Sequence, residues 1–372
     1  MLIKGFSCSF IQTSHFEHMR MYSCEFHKIF GNVINVQSSG NHIYRCLFHD
    51  IIGRAITLNT NDGIYENTVF FSRQIMSGDK NVIRWCSFLR INTLDNRGSL
   101  YISAESQSLE VDHLLFAHCY STSGCSGLFS FSKEGVISYC CFENCSSTYV
   151  DSSGNGGNSL CVYDSTMSNI SSCCLVNCGH LYSFAHGAMN IVRSGVFLSL
   201  NNFTKCRGRT SVTYCSALVI NVLKDFSLKN NVFQGNLYGS CITDVSTISR
   251  THYCSIFCNN TSSDIGLVYF HGTTLYFLDS SFYWNDKYIY YQRYSESKIS
   301  FTNSFFDISS SFASSYQSHQ FTNCVFNSIK TPHNLVKTVT EKCVMFVDKL
   351  DVLTKANRFN SPIFVCFQLF FY

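Results

Sequence analysis

A short segment that recurs along the chain is the feature that most constrains its fold. The stretch "YCCFENC" at residues 139–145 has copies on both sides, each centred on a large apolar residue that is almost always Phe. A repeat of about 24 residues predicts a solenoid in which each copy forms one rung. We place fourteen of these anchor residues, at Phe10, Phe26, Phe48, Phe70, Phe88, Phe116, Phe142, Leu175, Phe203, Phe233, Phe257, Phe282, Phe306 and Phe326.

Two further columns of the repeat support this alignment independently of the anchors. Eleven of the 21 cysteines fall in these columns, far more than random placement would put there. Cys stands two residues before the anchor at Cys8, Cys24, Cys46, Cys86, Cys140, Cys173 and Cys324. Cys or Asn stands three residues after it at Cys119, Cys145, Cys178, Cys206, Asn236, Asn260 and Asn285.

A second motif, Gly followed by small and aliphatic residues, lies between anchors. Within it Ile56 and Leu58 stand two apart, as do Leu100 and Ile102, and this alternation predicts strands. The distance from glycine to next anchor is 15 to 18 residues, whereas anchor to glycine varies from 5 to 15. We therefore predict one variable loop per rung. The motif begins at Gly53, Gly98, Gly127, Gly157, Gly187, Gly239 and Gly266.

These patterns predict an all-β fold, a parallel β-helix solenoid of about 13–14 rungs over residues 1–330, with about 4.8 Å between rungs. Residues 331–372 are predicted to form a C-terminal cap or tail. Thr331 and Pro332 have the pattern of a helix start, and apolar residues over 332–354 recur at near-helical spacing, which predicts a helical cap. The final "PIFVCFQLFFY" is shorter than the roughly 20 residues of a membrane span, so we predict a buried strand there.

Several steps of the repeat resemble a known family. "FQGN" (233–236), "FCNN" (257–260) and "FYWN" (282–285), with "GRAI" and "GAMN", resemble the repeats of polymorphic outer-membrane proteins and related adhesin-type passenger domains over roughly residues 5–330. The resemblance implies a right-handed, pectin-lyase-like β-helix. It also implies a location at the cell surface or outside the cell, and a glycan or a host or cell-surface protein as partner.

The start of the chain gives no support of its own to that location. "MLIKGFSCSFIQTSH" lacks a charged segment followed by an apolar run, so it does not predict a secretory signal. The chain begins inside a repeat, which we interpret as a truncated reading frame or a missing partner.

The cysteines have three interpretations. A zinc knuckle would use Cys141 with Cys145 and Cys174 with Cys178, but the same columns hold other residues elsewhere, so no metal site is predicted. Vertical disulfides remain an alternative, because neighbouring rungs lie within the Cα range of roughly 4.4–6.8 Å for a bridge. We favour stacked, buried free thiols. Cys141 points away from its neighbours, and its role is not assigned.

Catalytic motifs are not found. No two acidic residues are adjacent, and glycoside hydrolysis needs a carboxylate pair. "NTND" at 59–62 is the nearest fragment of a galacturonan-hydrolase set. Asp112 with His113, and His271, are isolated, and the first pair would be half a site only if a neighbouring rung supplied a partner. "SSGNGGNSL" at 152–160 lacks the Lys of a phosphate loop and is predicted to be a flexible turn.

We therefore predict a non-enzymatic β-helix scaffold, with no catalytic residue, cofactor or metal and with binding residues undefined. A net charge of +3 and scattered Lys and Arg predict no nucleic-acid partner. The alternative is a carbohydrate-active β-helix enzyme, a polysaccharide lyase or glycoside hydrolase, with an unfamiliar site.

Overall fold

The computed structural model describes a large part of the chain. The described residues are 2–5, 11–59, 80–93, 98–122, 124–148, 159–163, 165–179, 187–208, 215–221, 226–246, 248–262, 266–270, 274–285, 289–292, 297–310 and 319–328. The predicted C-terminal cap and the terminal strand lie outside these residues.

One parallel sheet contains the anchor residues. Its strands run in chain order along the sheet, each hydrogen-bonded to the next. They are β1 (Leu2–Lys4), β3 (Glu25–Phe30), β5 (Leu47–Ile52), β8 (Ser87–Thr93), β10 (Leu115–Ala117), β13 (Cys141–Glu143), β17 (Cys174–Val176), β20 (Asn202–Thr204), β23 (Val232–Gln234), β26 (Ile256–Cys258), β29 (Ser281–Tyr283) and β32 (Phe305–Phe306), with β11 (Tyr120–Ser121) and β14 (Ser146–Ser147) beside them.

A second set of parallel strands forms the other two faces. Four long strands cross both faces: β2 (Ile11–Tyr22), β4 (Ile34–Tyr44), β9 (Leu100–Asp112) and β12 (Leu128–Ser138). The face that follows the glycine motif also contains β6 (Ile56–Asn59), β15 (Leu160–Tyr163), β18 (Met189–Val192), β21 (Cys215–Asn221), β24 (Ser240–Asp244), β27 (Val268–Phe270) and β30 (Tyr290–Gln292). The next face contains β7 (Lys80–Arg84), β16 (Met167–Ser171), β19 (Val196–Ser199), β22 (Phe226–Lys229), β25 (Arg250–Tyr253), β28 (Thr274–Leu278), β31 (Lys298–Thr302) and β33 (His319–Thr322).

Each of these strands pairs in parallel with the equivalent strand of a neighbouring turn, as in β10 with β13 and β16 with β19. The chain thus passes over the three faces in order and returns to the first, which is a parallel β-helix. The predicted all-β class is confirmed. Side chains at alternate positions point inward, and the predicted pairs Ile56 with Leu58 and Leu100 with Ile102 are buried and lie beside each other in register.

The anchor residues form one column in the core. From Phe26 to Phe306 they are consecutive register partners, with Leu175 between Phe142 and Phe203. Successive phenyl rings stack nearly parallel, as between Phe88 and Phe116, whose centroids are 4.6 Å apart. The column is the centre of the hydrophobic core.

Two of the fourteen predicted anchors are wrong. Phe26 pairs with Ile3 on the preceding turn, so Phe10 is not the anchor of that turn. Phe48 pairs directly with Phe88, so no rung centred on Phe70 lies between them. Phe10 stands only 16 residues before the true anchor Phe26, and Phe70 only 18 residues before Phe88. Those intervals are shorter than any between the true anchors, because the chain must cross three faces to complete a turn.

The predicted position of the variable connection also needs correction. The interval from glycine to next anchor was expected to stay short, yet between Gly53 and Phe88 it holds 35 residues. The extra length falls at residues 60–79, between β6 and β7, outside the described part of the chain. An insertion at this corner leaves register intact, since β6 and β7 each still pair with β4 and β9.

Residues in the left-handed backbone conformation recur at two fixed positions relative to the anchor. Twelve of them stand three residues before the anchor, as Trp85 does with a φ of 59°, and many others stand two residues after it, as Asp50 does with a φ of 53°. Most are not glycine, and this conformation is uncommon for other residues. Register with the neighbouring turns therefore sets the corner geometry more than local propensity does.

The Cys and Asn side chains that stand three residues after an anchor all make the same hydrogen bond. Each side chain donates a hydrogen bond to the carbonyl of the anchor residue one turn earlier. The pairs are Cys119 to Phe88 (3.4 Å), Cys145 to Phe116 (3.5 Å), Cys178 to Phe142 (3.3 Å), Cys206 to Leu175 (3.3 Å), Asn236 to Phe203 (3.0 Å), Asn260 to Phe233 (3.0 Å) and Asn285 to Phe257 (2.9 Å). A thiol and a carboxamide can exchange here because both offer one donor to the same acceptor.

The thiols of this ladder are not cross-linked. All 18 cysteines in the described part of the chain are free. Burial raises the pKa of the Cys145 and Cys206 thiols well above the usual range, so both stay protonated and able to donate. The structure thus favours stacked thiols over vertical disulfides.

Cys141 belongs to a separate apolar cluster. It points away from the main core, as predicted, and packs with Leu115, Ala117 and Cys174 on the outer side of the anchor sheet. Its side chain is nevertheless buried. Cys141 is therefore a packing residue of this outer cluster.

Candidate functional site

Three consecutive turns place aromatic rings on top of one another at one corner of the coil. Trp85, His113 and Tyr139 each follow directly after the end of a strand, β7, β9 and β12 respectively. All three are left-handed, with φ of 59°, 54° and 51°. Ring centroids are 3.8 Å apart between Trp85 and His113, and 4.8 Å apart between His113 and Tyr139. We call these three residues the aromatic corner.

Backbone hydrogen bonds fix the spacing of the aromatic corner. The Trp85 amide donates to the Asp112 carbonyl, and the His113 amide donates to the Ser138 carbonyl, each at 3.1 Å. The rings are consequently held about one strand spacing apart by the backbone itself. Such a site, built on paired strands, is more rigid than one built on loops.

The aromatic corner is open to solvent. Trp85 is 46% exposed and Tyr139 is 39% exposed. Large aromatic side chains left at the surface are typical of residues that dominate recognition interfaces. This exposure makes the corner a candidate binding surface.

Polar residues one position earlier fix the imidazole. Asp112 accepts a hydrogen bond from Ser138 Oγ at 2.7 Å through one oxygen, and lies 2.7 Å from His113 Nδ1 through the other. A carboxylate can only accept, so Nδ1 of His113 carries a proton and donates it to Asp112. The ring therefore has a fixed tautomer and a fixed direction when neutral.

An ion network lies next to the aromatic corner. Glu110 accepts from both Lys80 and Arg84. Glu110 and Asp112 stand two apart on β9, so both project from the same outer face. The corner thus combines flat apolar rings with anionic and cationic groups.

The bonding pattern fits binding better than nucleophilic catalysis. Ser138 donates to Asp112 and not to His113, so the imidazole does not act as a base toward that hydroxyl. Glu110 and Asp112 are each occupied by donors from the protein. A general acid for glycoside cleavage would instead need a protonated carboxyl facing the substrate.

The sequence prediction identified part of this site. The sequence predicts that Asp112 and His113 form half of a site only if a neighbouring rung supplies a partner, and it names no such partner. The structure brings Trp85, Ser138 and Tyr139 to them from the turns on either side. Aligning the residues three and four before each anchor would have shown Arg-Trp, Asp-His and Ser-Tyr in successive copies.

The other sequence candidates are not brought together. His271 lies outside the described residues, as does nearly all of the 152–160 turn. In the "NTND" fragment only Asn59 is described, as the end of β6. None of these joins the aromatic corner within the described structure.

A second set of ionisable side chains is enclosed in the core. Asp244 and Arg250 are almost completely buried, with 3.1 Å between Asp244 Oδ2 and Arg250 Nε. Burial raises the pKa of the Asp244 carboxyl, although Arg250 opposes the shift. The adjacent His252 is fully buried and stacks on Phe277 at 4.4 Å. Because solvent does not reach these groups, they are a structural feature and not a ligand site.

Comparison with protein-family models, with curated proteins and with solved structures finds no match for this chain. Among the residues that the structure describes, no helix has the length and hydropathy needed to cross a membrane.

Proposed function

We propose that this chain is a non-enzymatic β-helix scaffold that binds a glycan ligand through the aromatic corner. The observation that carries the proposal is the exposed stack of Trp85, His113 and Tyr139 on three consecutive turns. A monomeric fold gains nothing in stability by leaving an indole and a phenol in water.

The chemistry of the corner suits a carbohydrate. A sugar ring has apolar C–H faces and a rim of hydroxyls. Aromatic side chains supply the apolar contact, and a few placed polar groups give orientation, as in small-ligand sites generally. Glu110, Asp112 and Arg84 provide both acceptors and donors for hydroxyls within one strand length of the rings.

The rod form extends this proposal beyond one corner. Successive rungs repeat the same backbone positions, so an elongated ligand can contact several turns at once. We propose, from the family resemblance, a right-handed pectin-lyase-like repeat fold and a place at the cell surface or outside the cell. A host or cell-surface protein is the other partner class that the resemblance implies.

A glycan panel assayed for both binding and cleavage tests the proposal. Trp85→Ala and Tyr139→Ala are expected to weaken binding at least tenfold. Trp284→Ala is the matched control, because Trp284 is 63% exposed and lies on a distant turn. Loss of binding in all three variants, or in none, contradicts the assignment, and thermal unfolding of each variant separates misfolding from lost contacts.

The alternative function is a carbohydrate-active enzyme. Its support is the position of Glu110 and Asp112 on one face of β9. Product formation by the wild-type protein that Glu110→Gln or Asp112→Asn abolishes would establish this alternative. Binding without any product over a long incubation would argue against it.

A further inference from the structure

A second polar cluster lies on the anchor sheet, near the start of the coil. His27 on β3 and His49 on β5 are register partners in adjacent strands, and their ring centroids are 4.7 Å apart. Asp50 follows His49 in a left-handed conformation, with a φ of 53°. Its carboxylate therefore turns back towards both imidazoles.

The three side chains converge on one point. Asp50 Oδ2 is 3.1 Å from His27 Nε2 and 3.3 Å from His49 Nδ1. One donor atom from each residue lies within 4.8 Å of the other two. Around a tetrahedral Zn²⁺ with bonds of about 2.0–2.1 Å, neighbouring donor atoms are about 3.3 Å apart.

We propose that His27, His49 and Asp50 bind a divalent transition metal of the Zn²⁺ class through Nε2, Nδ1 and Oδ2. Two imidazole nitrogens with one carboxylate oxygen form a donor set that suits Zn²⁺, Cu²⁺, Ni²⁺ or Co²⁺ better than Mg²⁺ or Ca²⁺. In the metal-bound state each neutral imidazole keeps its proton on its other ring nitrogen, His27 Nδ1 and His49 Nε2, and coordinates through the nitrogen that faces Asp50.

The three side chains are accessible to solvent, and they leave one position of a four-coordinate metal unfilled. Side-chain exposure is 19% for His27, 20% for His49 and 31% for Asp50, so an ion can enter from solvent. Three protein donors leave a fourth position for water or for a group from another molecule. The metal would join two consecutive turns across the sheet.

Arg90 lies on β8, one turn further along the coil, and contacts both Asp50 and His49. Its Nε lies 2.5 Å from Asp50 Oδ1, the carboxylate oxygen that the metal does not use, and its Nη2 contacts His49 Nε2 and lies 3.4 Å from Asp50 Oδ2. The first contact orients the carboxylate, as outer groups of metal sites commonly do. The charges of Arg90 and of nearby Lys28 oppose a cation. Arg90 is 55% exposed, so its guanidinium can swing away when the metal binds.

A His repeated at one position of two successive copies indicates this cluster in the sequence, although the cysteine and motif patterns predict no metal site. "FHKI" at 26–29 and "FHDI" at 48–51 place His at the same position of two successive copies. Parallel register necessarily puts such residues side by side. The site shares no residue with the aromatic corner, so it stands or falls independently of the proposed function.

Titration of metal-free protein with Co²⁺ and Zn²⁺ tests the site. We expect one equivalent of Co²⁺ to give a visible d–d spectrum without the near-ultraviolet band of thiolate coordination, and Zn²⁺ to displace it. His27→Gln and Asp50→Asn are each expected to lower affinity at least tenfold. His118→Gln, which alters an exposed histidine outside the cluster, is the control and should leave affinity unchanged.

A variant that binds the metal more tightly shows that weaker binding in the other variants is not caused by misfolding. Arg90→Gln removes the opposing charge and is expected to raise Zn²⁺ affinity severalfold, which an unfolded protein cannot do. The proposal is overturned by the absence of saturable Co²⁺ binding, by a thiolate band, or by full binding in a His27→Gln/His49→Gln double variant.

Discussion

At the residue scale, two different side chains donate the same hydrogen bond, to the anchor carbonyl one turn earlier. Cys206 and Asn236 occupy one column and donate to equivalent carbonyls, yet their neighbours differ. Asn236 also accepts from the Cys206 amide at 2.9 Å and donates to Asn260 Oδ1 at 3.0 Å. The carboxamide thus adds bonds between rungs that a thiol lacks.

This difference predicts the effect of changing Asn236. Asn236→Ala leaves the Phe203 carbonyl and the Cys206 amide without their partner, so we expect a loss of about 2–4 kcal/mol in the free energy of unfolding. Asn236→Cys should lose less, because a thiol can still donate to Phe203. Urea unfolding measures both, and the exposed Asn221→Ala is the control. Equal losses for Ala and Cys would contradict the shared role.

The buried His252 predicts a pH dependence. Burial, aided by the charge of Arg250, lowers its pKa to about 3, and neither ring nitrogen has a hydrogen-bond partner in the described structure. In the unfolded chain the value is about 6.5. The stability that His252 contributes is therefore complete above about pH 6.5 and is lost as pH falls towards 3, by up to about 1.4 kcal/mol per unit.

His252→Phe removes that dependence. Across pH 7.5 to 4 the difference in unfolding free energy between variant and wild type should grow in favour of the variant. Because the raised pKa of Asp244 acts in the opposite direction, the comparison uses this difference and not the wild-type curve. The exposed His118→Asn is the control. A constant difference across the range would show that His252 is not neutral in the fold.

At the scale of the element, the sequence predicted the anchor strands well and their corners poorly. Strands follow from alternation and from columns of Cys and Phe, which are local patterns. Corner residues such as Trp85 and Tyr139 take a left-handed conformation against their own preference, and only pairing with adjacent turns dictates it. The candidate site lies at such a corner. For this reason Asp112 and His113 can be found as neighbours in the sequence, whereas their partners are found only when successive copies are aligned on the anchor.

Two glycines should respond in opposite ways to substitution. A Cβ on Gly127 would lie 2.5 Å from the Ser159 carbonyl oxygen and 2.9 Å from the Phe142 ring, so Gly127→Ala should be strongly destabilising. Gly235 is left-handed, with a φ of 60° and its nearest neighbour 3.7 Å from an added Cβ.

Asn occupies the equivalent corner at Asn144 and Asn259. Gly235→Asn should therefore be neutral or stabilise by about 0.5 kcal/mol, since Asn tolerates this conformation and restricts the unfolded chain. Thermal unfolding of the two variants is the measurement. Destabilisation by Gly235→Asn would mean that the corner geometry is not interchangeable between turns.

At the scale of the molecule, one enclosed core runs the length of the coil and protects most of the thiols. Of the 18 described cysteines, only Cys254 and Cys324 are partly exposed. Burial, first among its causes, raises the pKa of the Cys215 thiol to about 11, which slows its reaction further.

Alkylation followed by peptide mass spectrometry should reflect this protection. In the native protein Cys254 and Cys324 are expected to react before the other described cysteines. In denaturant without reductant, all 21 cysteines of the chain should be modified. If pairs of cysteines stay unmodified in the denatured sample, the chain contains disulfides, in contrast to the free thiols of the described residues.

The hydrogen bonds from the Cys and Asn side chains to the anchor carbonyls all point the same way, from each turn to the one before it. The coil consequently has a chemical polarity along its axis. Each turn of the ladder offers its anchor carbonyl to the turn that follows and its own donor to the turn that precedes it. Because the strands of successive turns pair in parallel, two such rods can continue each other's sheets only head to tail, so any end-to-end assembly that extends the coil would be a directional filament and not a closed symmetric pair.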